Sequence, residues 1–244
     1  MINTPLLEEG LIKLGLGDDN LSLFTQYLTQ YIEEIELFNT AYGLVKVKDR
    51  EELIIKHILD SLAPIKILGS LPDRVKNRSN KSKHTDEQAL VNIADLGSGA
   101  GLPGIPLAIF MRNSEITLIE RMGRRAGFLR NVLAVLALPN VKVLEADLDE
   151  LAIKPALQFD LIVFRAFRPL EAPIFKGLLK LLAPDGFIAA YKGRRESIEE
   201  EMRYLQNQLN VNLSQKILPW EIFPLEVPFL EDERHLLVID SKTF

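Results

Sequence analysis

Residues 93–104 read Ile-Ala-Asp-Leu-Gly-Ser-Gly-Ala-Gly-Leu-Pro-Gly: a short apolar run ending in Asp95, then alternating glycines at 97, 99 and 101. A buried strand that gives way to glycines and then to a helix is the layout of a ligand site at the carboxyl end of a parallel strand. The glycines let the chain turn sharply and let a ligand approach the backbone with no Cβ in the way. Pro103 suits the start of the following helix, where a missing N–H costs little. The spacing is G-x-G-x-G. Dinucleotide sites use G-x-G-x-x-G, and a P-loop would be followed by Lys-Ser/Thr, which is absent. A nicotinamide-dependent dehydrogenase is therefore disfavoured.

From residue 91 onward the chain alternates apolar runs with amphipathic stretches. Strands are expected at 91–95, 116–120, 141–145, 160–164 and 186–191, and helices at 103–111, 122–137, 170–182 and 196–209. That alternation implies a parallel sheet covered on both faces. Two last strands, 211–219 and 234–240, have no helical pattern between them and suggest a hairpin at one sheet edge. Residues 1–70 read as helices with a 3.6-residue apolar period, at 6–14, 21–38 and 51–68, with a loop over 39–48. Residues 72–88 are basic, polar and nearly free of apolar side chains, as in a mobile surface loop. The expected organisation is one domain: an N-terminal helical layer (1–70), a basic polar loop (71–90) and an α/β core (91–244).

Composition narrows the chemistry. The 244 residues contain no cysteine, which excludes thiolate catalysis and cysteine-held metals, and the three histidines, His57, His84 and His235, are too scattered for a zinc site. No metal is expected. The net charge of −5 argues against global attraction to nucleic acid, although a local basic patch can still bind it. The first residues lack a signal-peptide pattern and no apolar run is long enough to span a bilayer, so a soluble cytoplasmic protein is expected.

In such a sheet the ligand lies at the strand ends. The acid at Asp95 suits a ligand with a positive end, such as the sulfonium and ammonium of S-adenosylmethionine. Glu120 ends the second strand, placed either to accept hydrogen bonds from ribose hydroxyls or to favour the next helix dipole. After the third strand, Leu148 offers an apolar wall for adenine, and Asp147 or Asp149 a polar contact. The fourth strand ends in Arg165, which can anchor cofactor or RNA or form a structural ion pair. Base methyltransferases that attack exocyclic amines commonly carry Asn or Asp, Pro, Pro and an aromatic here, whereas this chain has Phe-Arg-Ala-Phe. A guanine N7 has an in-plane lone pair and no proton to lose, so it needs position and no general base; no catalytic side chain is expected. Lys192, Arg194 and Arg195 after the fifth strand suit phosphate contact, and Arg121, Arg124, Arg125 and Arg130 form a second basic group that is either RNA-binding or a solvated helix face.

Several segments together resemble the glucose-inhibited division protein B family, the bacterial small-subunit ribosomal RNA guanine-N7 methyltransferases. They are 38–44 (Phe-Asn-Thr-Ala-Tyr-Gly-Leu), 56–62 (Lys-His-Ile-Leu-Asp-Ser-Leu), 94–107 around the glycines, 123–129 (Gly-Arg-Arg-Ala-Gly-Phe-Leu), 159–167, 191–193 and 233–239 (Glu-Arg-His-Leu-Leu-Val-Ile). The resemblance implies a Rossmann-like class I S-adenosylmethionine-dependent methyltransferase fold: a mainly parallel seven-stranded sheet with an N-terminal helical extension. It implies S-adenosylmethionine bound by Gly97, Leu102, Leu148, Asp149 and Arg165, beside Asp95, Gly99, Gly101 and Glu120. It further implies 16S ribosomal RNA, or an assembling small subunit, as partner, with Arg234 and His235 joining the basic residues on the RNA side. Glu120 stands where the family commonly has Asp, and Arg168 is unusual in its loop. The alternatives are a methyltransferase of another substrate and a non-catalytic RNA- or ribosome-binding protein on the same fold.

Overall fold

The computed structural model describes residues 4–18, 20–78, 90–153, 157–209 and 219–243. Its centre is a seven-stranded sheet in the order β3-β2-β1-β4-β5-β7-β6. β1 (Val91–Leu96), β2 (Ser114–Ile119), β3 (Val141–Leu144), β4 (Phe159–Arg165) and β5 (Leu182–Lys192) are parallel. β6 (Trp220–Leu225) and β7 (Arg234–Asp240) close the edge antiparallel. Order reverses between β1 and β4, so the ends of these two strands flank the crevice where a ligand binds. The inner strands are buried on both faces, as parallel strands covered by helices must be.

Two apolar clusters fill the two faces. One packs the N-terminal helices α1 (Thr4–Lys13) and α2 (Leu21–Tyr42), with α6 (Gly104–Phe110) and α7 (Gly123–Leu136), onto the sheet. The other packs α8 (Leu148–Ile153), α9 (Ala172–Leu181) and α10 (Arg195–Gln208) onto the opposite face. Helix α2 has no strong cap at its start; burial of Leu28, Tyr31, Ile32 and Ile35 along one stripe holds it.

Several boundaries differ from expectation. α2 runs through Tyr42 into what reads as loop, ending at Gly43 in the left-handed conformation. The third helix is broken: α3 (Arg50–Leu53), a π-helical turn (Ile54–Leu59) and α4 (Asp60–Leu62), then α5 (Ile65–Arg78). The expected loop from 71 is thus helical in backbone to Arg78. Gly69 and Pro72 read as breakers, but burial of Leu68 and Leu71 outweighs local propensity. Residues 79–89 of that segment, and 211–218 of the expected penultimate strand, lie outside the described residues; the described strand there is β6. The turn after β3 becomes a short helix, α8, opened by the Asp147 side chain accepting from the Asp149 N–H at 3.3 Å.

Candidate active site

The glycine turn is held from beneath. Gly97, Gly99 and Gly101 have φ of +67°, +59° and +93°, values that favour glycine. A Cβ on Gly97 would lie 2.6 Å from the Phe167 ring, so that position needs glycine for space as well as conformation. Asp95 is fully buried. Its Oδ2 accepts from Ser98 Oγ at 2.6 Å and Gly104 N–H at 2.9 Å, while Oδ1 is buried and unpartnered. Burial pushes its carboxyl up to about 6, with Ser98 and Gly104 opposing the rise. Glu120, also buried, accepts from Gly99 N–H at 2.9 Å through Oε2 and from Met122 N–H at 2.8 Å through Oε1. Each of these oxygens keeps a second lone pair.

Above the turn lies a cleft of about 260 Å³, whose walls include Gly97, Glu120, Arg125, Asp147, Leu148 and Phe167. An orphaned carboxylate oxygen below, a glycine cradle a Cβ would fill, a strand-end carboxylate and the buried apolar Leu148 together fit S-adenosylmethionine. The expected residues separate here. Gly97, Glu120 and Leu148 line the cleft. Leu102 is packed in the core below the turn, and Asp149, with 74% of its side chain exposed, faces outward. Of the two candidate acids after β3, Asp147 is the one on the wall. Arg168 reaches it at 2.8 and 3.0 Å and Asp149 at 3.3 Å, spanning from the β4 loop to α8.

Arg165 does not line this cleft. It points into the N-terminal layer, donating to Asp60 Oδ2 at 2.9 Å and the Lys56 carbonyl at 3.0 Å, with His57 Nδ1 at 2.8 Å. An arginine cannot accept, so Nδ1 takes the hydrogen and the neutral His57 carries its proton on Nε2. Burial, then the Arg165 charge, lowers His57 to about 4. Arg234 Nε stands 3.3 Å from Asp60 Oδ1, which makes this nearly buried carboxylate a bridge between two guanidiniums. The π-helical turn, where Asp60 N–H reaches back to the Ile55 carbonyl, widens the helix and presents Lys56, His57 and Asp60 together. Two buried tyrosines extend the link: Tyr31 donates to the Ala100 carbonyl in the glycine turn at 2.7 Å, and Tyr191 to the Ser61 carbonyl at 2.8 Å. Sequence reading missed Asp60 and both tyrosines in these roles, because their partners lie far away in the chain.

A family model for rRNA small subunit methyltransferase G, GidB, matches residues 25–220 of this architecture. The chain belongs to this family. A Treponema denticola protein named Ribosomal RNA small subunit methyltransferase G is 36% identical over 254 residues, covering 99% of this chain and 96% of that one. A Treponema pallidum protein of the same name is 42% identical over 218 residues, 88% of this chain and 84% of that one. Among solved structures, an O-methyltransferase from Bacillus cereus in complex with SAH superposes with a TM-score of 0.54 at 16% identity, covering 86% of this chain and 90% of that one. A putative O-methyltransferase from Klebsiella pneumoniae does so at 0.52 and 13%, covering 86% and 89%. These two likenesses concern the fold: the class I Rossmann-like methyltransferase fold with a mixed, largely parallel sheet and N-terminal helices.

The basic residues expected to face RNA in this family member divide into two sets. Arg121, Arg124, Arg130, Arg194 and Arg195 are exposed, three of them beside an acid: Arg195 pairs with Glu199 at 2.9 Å, Arg130 with Glu145 at 3.0 Å, and Arg121 Nε stands 4.0 Å from Asp147. The others are engaged. Lys192 Nζ sits on both Glu201 oxygens at 2.9 and 2.7 Å, and Arg234 on Asp60. His235 is buried, its Nδ1 2.6 Å from the Gly193 carbonyl. Arg125 lines the 260 Å³ cleft, its Nη2 donating to the Gly43 carbonyl at 3.4 Å and its Nε buried without a partner. Among the described residues no three metal-ligating side chains come together, and no helix is long and apolar enough to cross a membrane.

Proposed function

We propose that this chain methylates N7 of a guanine in 16S ribosomal RNA, free or in an assembling small subunit, with S-adenosylmethionine as donor. As a member of its family it is a ribosomal RNA methyltransferase. The choice of N7 rests on one observation: the segment that ends β4, residues 164–168, carries no carboxylate, amide or imidazole to take a proton. Phe164 is buried, Arg165 is committed to Asp60, and His57, packed on Arg165, has its Nδ1 lone pair occupied by it. A nucleophile that must lose a proton would find no acceptor on that segment, whereas N7 needs none.

When bound, S-adenosylmethionine would supply a sulfonium methyl, an electrophile that the N7 lone pair can take with no proton to remove. The chain's own contribution is positioning. The glycine turn and Glu120 hold the cofactor's backbone-facing and ribose sides, Leu148 and Asp147 its adenine side. Asp60, Arg165 and Tyr31 fix the turn and β4 against the N-terminal layer. The exposed arginines 121, 124, 194 and 195 meet phosphates.

The test is incubation with unmodified small subunits and labelled donor, followed by chain cleavage specific for 7-methylguanine, and a single-turnover pH profile. Label at a guanine N7, with no limb of an essential base near neutrality, is expected. Label at another atom, or a limb removed by one substitution that leaves cofactor and RNA affinity intact, refutes the reading.

A further inference from the structure

A second cleft of about 560 Å³ opens beside the first, and residues 166–168 form a wall of both. Its base is the ends of β4 and β5, and its outer side is α10. Ala166, at φ +51°, is in the left-handed region for a non-glycine residue, and the reversal there sets Phe167 between the two clefts. Across from it, Tyr204 keeps 55% of its surface exposed. Two carboxylates of α10 also line the space. Glu201 is already used: it accepts from Lys192 twice and from Leu170 N–H at 2.7 Å. Glu200 has no hydrogen-bond or ion-pair partner among the described residues.

We infer that this second cleft receives the target guanine, extruded from the RNA, stacked on Tyr204 with its N1–H and 2-amino group donating to Glu200. The inference rests on the guanine-N7 reading above and adds the residue that chooses the base. An enzyme acting on a base takes it out of the stack and reads its Watson–Crick edge in a pocket lined by aromatic side chains. Guanine presents two adjacent donors on that edge, which a carboxylate matches. Adenine presents a bare N1 acceptor there, which a carboxylate repels. N7 lies on the opposite side of the purine, so holding the first edge at α10 turns N7 away from α10, toward the 166–168 segment along which the two clefts adjoin. The methylated ring is cationic, and aromatic faces with carboxylates nearby favour a cation in that position.

Three variants test this with the full chain: Glu200→Gln, Tyr204→Ala, and Glu196→Gln as an exposed control on the same helix and outside the cleft. The readouts are kcat/KM on small subunits, cofactor affinity by calorimetry, and binding of 7-methylguanosine monophosphate against guanosine monophosphate in the presence of S-adenosylhomocysteine. A charge-assisted hydrogen bond of the usual strength predicts that Glu200→Gln lowers kcat/KM about 10- to 100-fold. Cofactor affinity stays unchanged and the preference for the methylated nucleotide is lost; Tyr204→Ala weakens both nucleotides, and Glu196→Gln changes nothing. Wild-type kcat/KM in both cleft variants, or an unchanged nucleotide preference in Glu200→Gln, overturns the assignment. Failure of the wild-type protein to place a methyl on N7 overturns instead the reading on which it rests.

Discussion

Asp95 and His57 titrate over the same pH range with opposite effects on stability. The Asp95 carboxyl rises from 3.8 to about 6 because it is buried. Between those values the fold keeps a proton that the unfolded chain has released, so its contribution is full below 3.8 and lost as pH rises through 6. His57 falls from 6.5 to about 4 through burial and the Arg165 charge. Between those values the unfolded chain binds a proton that the fold refuses, so stability falls as pH drops through 6.5 toward 4. At about 1.4 kcal/mol per pH unit, each gap is worth roughly 3 kcal/mol, and the two nearly cancel in the wild-type protein. Single substitutions should unmask them. In Asp95→Asn the amide oxygen still accepts from Ser98 and Gly104. The variant should gain about 3 kcal/mol relative to wild type as pH rises from 4 to 6. His57→Gln keeps an acceptor for Arg165 and should lose a similar amount over 4 to 6.5. Urea unfolding at half-unit intervals from pH 4 to 7.5 measures both. A difference from wild type that stays constant within about 0.5 kcal/mol across that range, for either variant, refutes the assigned burial and its electrostatic consequence.

Gly97→Val should abolish cofactor binding by calorimetry, since its side chain enters the space of Phe167, whereas Gly99→Ala meets nothing closer than 3.7 Å and should cost only the left-handed backbone penalty, roughly 1–2 kcal/mol. Equal affinities in the two variants would show that the cradle is not at Gly97. The double variant Arg124→Ala, Arg194→Ala should flatten the log–log salt dependence of RNA binding by about 0.7–0.9 per lost phosphate contact. Lys192→Ala, which removes a charge already neutralised by Glu201, should leave the slope nearly unaltered; the reverse order would move the RNA face to Lys192.

The alternation of apolar runs determined the parallel sheet, and the glycine spacing at 97–101 determined the sharp turn at the end of its first strand. Both are local signals, a period and a backbone requirement, that need no knowledge of distant residues. The Phe-Arg-Ala-Phe end of β4 is likewise a local signal, legible as letters alone. What the sequence left open was direction and pairing. Asp147 and Asp149 are equivalent as letters; only the turn into α8 puts one on the cleft wall and the other in solvent. Lys192, Arg194 and Arg195 read as one basic rim, yet Glu201, one helix later, takes the charge of the first. Arg165 finds its partners over a hundred residues upstream, on a π-helical turn that no periodicity announces. Side-chain orientation and ion pairing are set when separate elements pack against each other. They are properties of the assembled fold, and the roles of Asp60, Asp147 and the α10 carboxylates became visible only there.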